Sequence, residues 1–352
     1  MFPPKLLFNA AQLSLFAVRN KLPVRYYLKC AVARLALTDV SAAEIQYLLP
    51  GTEKVYRQWI RSKPGLEAKV QPLEDSADGG GDILWIGDGG KASKVVLYFH
   101  GGGFCVPAGR GHFEMCWNAY VKTGVEAGVD VAVAFLRYSL APDARFPVQL
   151  RQEVAALKTL LASGTRASDI IIGGDSAGGN MTTQLLGHLL HPHPDVDRIQ
   201  LSERLAAVVG ISPWLLTDTS GPTYKAYEAN DMVTIKGAHH LARTYFGTES
   251  ELEAANSLPN GWVLPLQTAE EGDWFAGLDK LVSTFYITAG SVEVLVDDAR
   301  RLVRRLEAVG CEVRYDEGEG EAHDFIYVEG DLGEVGPATT KMKAWFRSVI
   351  QP

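Results

Sequence analysis

Apolar residues in the second half of the chain gather in short unbroken runs. Val95-Val96-Leu97-Tyr98-Phe99 has no polar alternation, the pattern of a strand covered on both faces. Runs of the same kind recur at Val129–Leu136, Ile170–Ile172, Ala206–Ile211, Thr284–Ile287 and, more briefly, Cys311–Tyr315. Between them lie helix-like stretches at Pro147–Ala162, Gly178–Leu190, Asp297–Val309 and Pro337–Ile350. This alternation predicts an α/β fold with a mostly parallel central sheet and helices on both faces. Pro213 to about Trp262 breaks the rhythm and is too long for an ordinary connection, so an inserted helical cap is expected at about 213–262. Residues 1–60 read as helices broken at Pro23 and Pro50-Gly51, an N-terminal cap segment preceding a core over 61–352. The Gly- and Asp-rich stretch Pro72–Gly90 reads as turns between short edge strands.

Bulk properties narrow the classes. The 352 residues suit one α/β domain with insertions, and 47% hydrophobic with 22% charged residues is ordinary globular composition. A net charge of −8 with no Lys/Arg-rich tract argues against nucleic acid as a partner. Cys30, Cys105, Cys116 and Cys311 are scattered with no metal-ligand spacing, which reads as reduced thiols in a cytoplasmic protein without a metal site. The sequon Asn180-Met181-Thr182 directly follows Ser176 on a helix, where a glycan has no room. Leu6–Val18 is apolar but interrupted by Asn9, Gln12 and Ser14 and is too short to span a bilayer. A lid helix, a membrane-surface helix and a targeting segment all remain open for it.

The candidate chemistry centres on Gly174-Asp175-Ser176-Ala177-Gly178. A serine on a sharp strand-to-helix turn needs small neighbours two residues before and after, and the following helix directs its N-terminal amides at the site. The alternative is a plain glycine turn. His100-Gly101-Gly102-Gly103 follows the Val95–Phe99 strand, and consecutive glycines let backbone N–H groups turn toward an oxyanion. A phosphate-cradling loop is disfavoured because no Lys-Ser/Thr follows. His100 reads as a loop-orienting residue.

"HGGGF" at 100–104, "RYSLAPDARFP" at 137–147 and "GDSAGGN" at 174–180 resemble the hormone-sensitive-lipase-like branch of the α/β-hydrolase superfamily, in matching order over roughly residues 90–350. The resemblance implies a carboxylic-ester hydrolase with a Ser-acid-His triad and no cofactor. It implies His323, in "GEAHDFIY", as the general base, with Asp324 where the family usually has glycine. It places the acid in "GSVEVLVD" (290–297), where Glu293 occupies the position of the family's catalytic aspartate and Asp297 matches a second, supporting aspartate and alternative acid. The oxyanion donors carried over are the N–H groups of Gly102, Gly103 and Ala177. Asp175 is expected to order the turn. Tyr138, Pro142 and Pro147 match structural positions, while Ser139 and Asp143 replace the usual Arg and Glu. Phe104 and Trp214 are candidates for an acyl pocket, with core packing as the competing account.

These readings converge on a serine esterase for esters of small to medium acyl groups, acetyl among them. The same acyl-enzyme chemistry in a thioesterase, lactone-forming enzyme or acyltransferase stands as the alternative. A non-catalytic binder on this fold is the remote one. The partners expected are a small ester, with contact to a membrane surface through the N-terminal helix and pairing into a homodimer left open, and no membrane span.

Overall fold

Alternate residues of a single strand feed two separate cores. In the computed structural model, which describes residues 2–74, 80–251, 253, 261–268 and 274–351, Val95, Leu97 and Phe99 enter one core while Val96 and Tyr98 enter the other. Such a strand cannot show polar alternation, because both of its faces are dry.

The strands are β1 (Lys69–Pro72), β2 (Asp82–Ile86), β3 (Lys94–Phe99), β4 (Val131–Arg137), β5 (Ile170–Asp175), β6 (Ala207–Ile211), β7 (Phe285–Gly290) and β8 (Val313–Gly318). They form one sheet in the order β1-β2-β4-β3-β5-β6-β7-β8. From β4 to β8 every pairing is parallel, and β2 runs antiparallel to both β1 and β4. The helices are α1 (Phe2–Arg19), α2 (Val24–Asp39), α3 (Ala42–Leu48), α4 (Thr52–Ile60), α5 (Arg110–Cys116), α6 (Lys122–Ala127), α7 (Val148–Ala162), α8 (Ala177–Leu190), α9 (Pro222–Tyr227), α10 (Ile235–Phe246), α11 (Leu278–Leu281), α12 (Val296–Ala308), α13 (Phe325–Asp331) and α14 (Pro337–Ile350). Tyr27, Leu150, Leu185 and Leu302 cover one face of the sheet, and Trp59, Phe113 and Phe346 the other. Each such buried side chain contributes about 1.5–3 kcal/mol. This is the mostly parallel, helix-covered sheet that the alternation predicts, and the α/β-hydrolase architecture that the resemblance implies.

Several boundaries differ from the sequence reading. β4 starts at Val131, and β8 continues to Gly318. The helical stretch from Arg110 to Ala127, with a π-helical segment at Trp117–Val121, carried no sequence signal, because it is buried on nearly every side and shows no amphipathic stripe. The 72–90 stretch does hold a short strand, β2, but it lies between β1 and β4 and not at the sheet edge, and residues 75–79 lie outside the described residues. Residues 1–60 are helical with breaks near Pro23 and Pro50-Gly51. The 213–262 insertion carries α9 and α10, while 252 and 254–260 lie outside the described residues. Among the described residues no helix is long and apolar enough to cross a membrane.

Candidate active site

In a parallel sheet the loops leaving the C-terminal strand ends meet on one edge, and there the chain assembles its reactive groups. The glycine loop 101–103 follows β3, Ser176 follows β5, Glu293 follows β7 and His323 follows β8.

Ser176 stands between β5 and α8 with φ 51° and ψ −115°. The turn is possible only because its neighbours lack side chains. A Cβ on Gly174 would lie 2.3 Å from the Gly178 carbonyl oxygen, and one on Gly178 only 2.0 Å from that of Phe99. The Ser176 N–H donates to Ile211 O at 2.8 Å, and its carbonyl accepts from Trp214 N at 3.1 Å. Asp175 braces the turn from below. Its carboxylate accepts from Tyr98 Oη at 2.6 Å and from Gly101 N at 2.8 Å, tying the elbow to the glycine loop.

His323 is 3% exposed, and its Nε2 lies 2.9 Å from Ser176 Oγ. Its Nδ1 faces Glu293 Oε1 at 3.8 Å. Both atoms are buried and meet no other partner. The other oxygen of Glu293, Oε2, is held by Ser212 Oγ at 2.7 Å and Gly290 N at 3.0 Å, leaving Oε1 to the imidazole. Two orphaned buried polar atoms that face each other are each other's natural partners, and catalytic contacts of this kind are often long until substrate binds. Burial disfavours the imidazolium, but the Glu293 carboxylate, seconded by Asp231 and Asp175, outweighs it and raises the His323 pKa.

A buried carboxylate that no motif announces holds this arrangement together. Asp231 Oδ1 accepts from the backbone N–H of His323 at 3.0 Å, and Oδ2 from that of Val294 at 2.8 Å. It therefore clamps the loops that carry His323 and Glu293. Burial pushes its pKa up to about 6. Arg34 of α2 donates to the carbonyls of Glu228 and Asp231, anchoring the clamp to the N-terminal helices. Asp324, at φ 55°, donates its N–H to Ser212 Oγ at 3.2 Å. Its carboxyl meets the Asp175 carboxylate and the His112 imidazole, with one polar atom of each all within 4.8 Å of one another. Burial, first, and then the Asp175 charge raise the Asp324 pKa.

Gly102 and Gly103 have φ of 106° and 59°, which glycine adopts freely. Among the described residues the N–H groups of Gly102, Gly103 and Ala177 meet no acceptor. His100 stacks on Tyr138 with centroids 4.4 Å apart and contacts Gly101 O through Nδ1. Burial pulls its pKa down to about 3, so it stays neutral and shapes the loop.

Ser176 and His323 open into a cavity of about 390 Å³. Val32, Leu37 and Leu49 line it from the N-terminal helices, and Met232, Val233 and Leu241 from the 213–262 segment. A larger open groove of about 930 Å³ between α4 and residues 137–144 contains none of the reactive groups. Trp214 lines the cavity, but Phe104 does not. With φ 61°, Phe104 turns its ring into the core and stacks on Tyr245 at 3.8 Å. Asp297 does not reach His323. It sits in the first turn of α12, half-exposed, and pairs with Arg300 at 3.0 Å. Nor does it cap that helix, whose N-cap is Leu295. Sequence reasoning missed Asp231, Ser212 and His112. Of these only Ser212, directly after β6, occupies a position that strand-end logic could have marked.

Comparison with known proteins bears on the fold and the family. Residues 96–327 match the family described as alpha/beta hydrolase fold. An acetyl-hydrolase of Streptomyces hygroscopicus is 26% identical over 75% of this chain and 79% of its own. Arylacetamide deacetylase-like 2 of Homo sapiens is 30% identical over 45% of this chain and 39% of its own. The crystal structure of an esterase from the bacterial hormone-sensitive lipase family superposes with a TM-score of 0.64 at 22% identity, covering 99% of both chains. The chain belongs to the alpha/beta hydrolase fold family. By class it is a carboxylic-ester hydrolase.

Proposed function

We propose that the protein cleaves esters with small to medium acyl groups through an acyl-enzyme on Ser176. His323 Nε2 takes the hydroxyl proton as Ser176 Oγ attacks the carbonyl carbon. Glu293 orients the ring and stabilises the imidazolium. The oxyanion is received by the N–H groups of Gly102, Gly103 and Ala177. As the tetrahedral adduct collapses, His323 returns the proton to the departing alcohol. Water, activated by the same imidazole, then releases the acid and restores Ser176. The single observation that carries this reading is the 2.9 Å contact between Ser176 Oγ and His323 Nε2 with the free oxygen of Glu293 behind it.

The residues 1–60 and 213–262 act as the cap that selects substrate, since both contribute to the cavity wall. A cavity of about 390 Å³ suits a ligand of this size. Relatives named acetyl-hydrolase and ethyl acetate hydrolase support a short acyl group. The test is turnover of p-nitrophenyl acetate and butyrate by wild type and Ser176→Ala, with mass spectrometry after a fluorophosphonate probe. Turnover that vanishes in the variant, with one adduct on Ser176, is the expected result. Equal turnover in Ser176→Ala, or an adduct elsewhere, would overturn the assignment.

A further inference from the structure

Charge and exposed apolar surface are both unevenly distributed in this molecule. Residues 1–38 contain six Lys and Arg and no Asp or Glu, in a chain whose net charge is −8. All 42 acidic residues come later in the sequence. Exposed large apolar side chains gather in the same part. Leu7, Phe8, Leu15 and Val18 of α1, with Leu28 and Val32 of α2, are between 43% and 71% exposed. Tyr47, Leu48 and Leu49 at the end of α3 add to them. Among the described residues only Val125 and Val335 are comparable elsewhere.

α1 shows the anomaly most clearly. Leu13 and Ala17 pack into the core. Leu7, Ala11, Leu15 and Val18, spaced four, four and three apart, form a second apolar stripe that meets nothing. A helix that is apolar on both faces is a helix with a partner on the second face. Scattered exposed leucines need no explanation, but a concentrated patch does. This one continues into the active site, because Val32 and Leu49 are at once exposed and part of the wall of the Ser176 cavity. Lys29, which pairs with Asp331 at 2.7 Å, also lines that cavity, while Arg19 and Lys21 at the end of α1 meet no carboxylate among the described residues.

We propose that α1, with the exposed ends of α2 and α3, docks on an anionic lipid surface and presents the mouth of the catalytic cavity to esters dissolved in it. The apolar stripe enters the acyl boundary while Arg19 and Lys21 meet lipid phosphates. A second copy fits this face less well. A two-fold contact would set one acid-free segment against another and oppose like charges. The proposal rests on the esterase reading for its purpose, but binding is measured without turnover, so either can fail alone.

The experiment is flotation of full-length Ser176→Ala protein with vesicles of phosphatidylcholine alone or with 30% phosphatidylglycerol. Binding at least tenfold tighter to the anionic vesicles is expected, falling severalfold in 0.5 M NaCl. Phe8→Asp with Leu15→Asp, both exposed substitutions in a variant of unchanged melting temperature, should lose at least tenfold. Arg19→Glu with Lys21→Glu should lose the preference for phosphatidylglycerol. In an otherwise wild-type background both variants should hydrolyse soluble p-nitrophenyl butyrate as before, and slow only on esters embedded in vesicles. No binding to either vesicle, or binding that neither variant changes, would overturn the proposal. So would self-association in solution that Phe8→Asp with Leu15→Asp abolishes, which would give the face to a second copy.

Discussion

The two walls of the catalytic cavity are built by different physics. On the side of the sheet, almost every polar group is assigned. Asp175 braces the elbow, Ser212 and Gly290 hold Glu293, and Asp231 clamps the two loops. On the side of the N-terminal helices and α10, the surface of the wall is chiefly the apolar side chains of Val32, Leu37, Leu49, Val233 and Leu241. A hydrogen-bonded wall fixes atoms to a fraction of an ångström and fails when one partner is lost. An apolar wall tolerates changes of volume and fails gradually. Reaction type and substrate range are thus written into different materials.

Substitutions on the polar wall should break function outright. Ser176→Ala is expected to lower kcat for p-nitrophenyl butyrate by at least about 10⁴-fold with no loss of melting temperature. Glu293→Gln keeps the shape but cannot stabilise the imidazolium, and a fall of about 10³-fold in kcat is expected. The same variant should move the pH profile. His323 must be neutral to accept a proton, and its pKa is raised chiefly by Glu293 against the effect of burial. In wild type kcat/KM therefore climbs with pH through a value above the ordinary 6.5, and in Glu293→Gln the rise shifts to lower pH.

Asp231→Asn sharpens the comparison, because the residue lies in the cap insertion yet serves the polar wall. One oxygen becomes an NH₂ that faces a backbone donor, so kcat should fall about tenfold and stability by about 1–3 kcal/mol. An unchanged kcat with lowered stability would leave Asp231 a purely structural residue. Leu241→Ala on the apolar wall should do less, shifting the butyrate-to-acetate preference by no more than about tenfold with the chemistry intact. The smallest effect is that of pH on stability. Burial holds Asp231, Glu321 and Asp298 protonated up to about 6, 7 and 8. The folded state binds those protons where the unfolded chain has released them. The stabilisation is full below the unfolded carboxyl pKa of about 4 and is lost progressively as pH rises from there to about 8, so the melting temperature should drop by a few degrees over that window.

The same division explains what the sequence discloses. The strands from β3 to β7 and the Ser176 elbow are legible because their signals are local, whereas His323 and Glu293 are marked by the family resemblance alone. A dry strand is a continuous apolar run, and a nucleophile elbow needs its glycines within five residues. Asp231 is illegible because its function is a pair of contacts 63 and 92 residues away. Phe104 misleads for the converse reason. Its place beside the glycines suggests a pocket, and only the backbone at φ 61° sends it to Tyr245. Asp297 matches a motif position, yet the helix starts one residue before it and Arg300 takes its carboxylate. The cap wall draws one face of α2, at 29, 32, 33, 36 and 37, together with Leu49 and residues from 232 to 241, and helical spacing alone does not say that this face looks onto Ser176.

Arg34 has a practical consequence for anyone wishing to shorten or graft this chain. Its guanidinium grips the carbonyls of Glu228 and Asp231, so the N-terminal layer is wired into the clamp on the catalytic loops. Cutting off the first forty residues would not yield an uncovered enzyme with a wider appetite; it would slacken the very loops that carry the acid and the base. A chimera that borrows the helical layer of another relative has to bring a cation to the same spot, or accept a scaffold whose new selectivity comes with a poorly tensioned reaction centre.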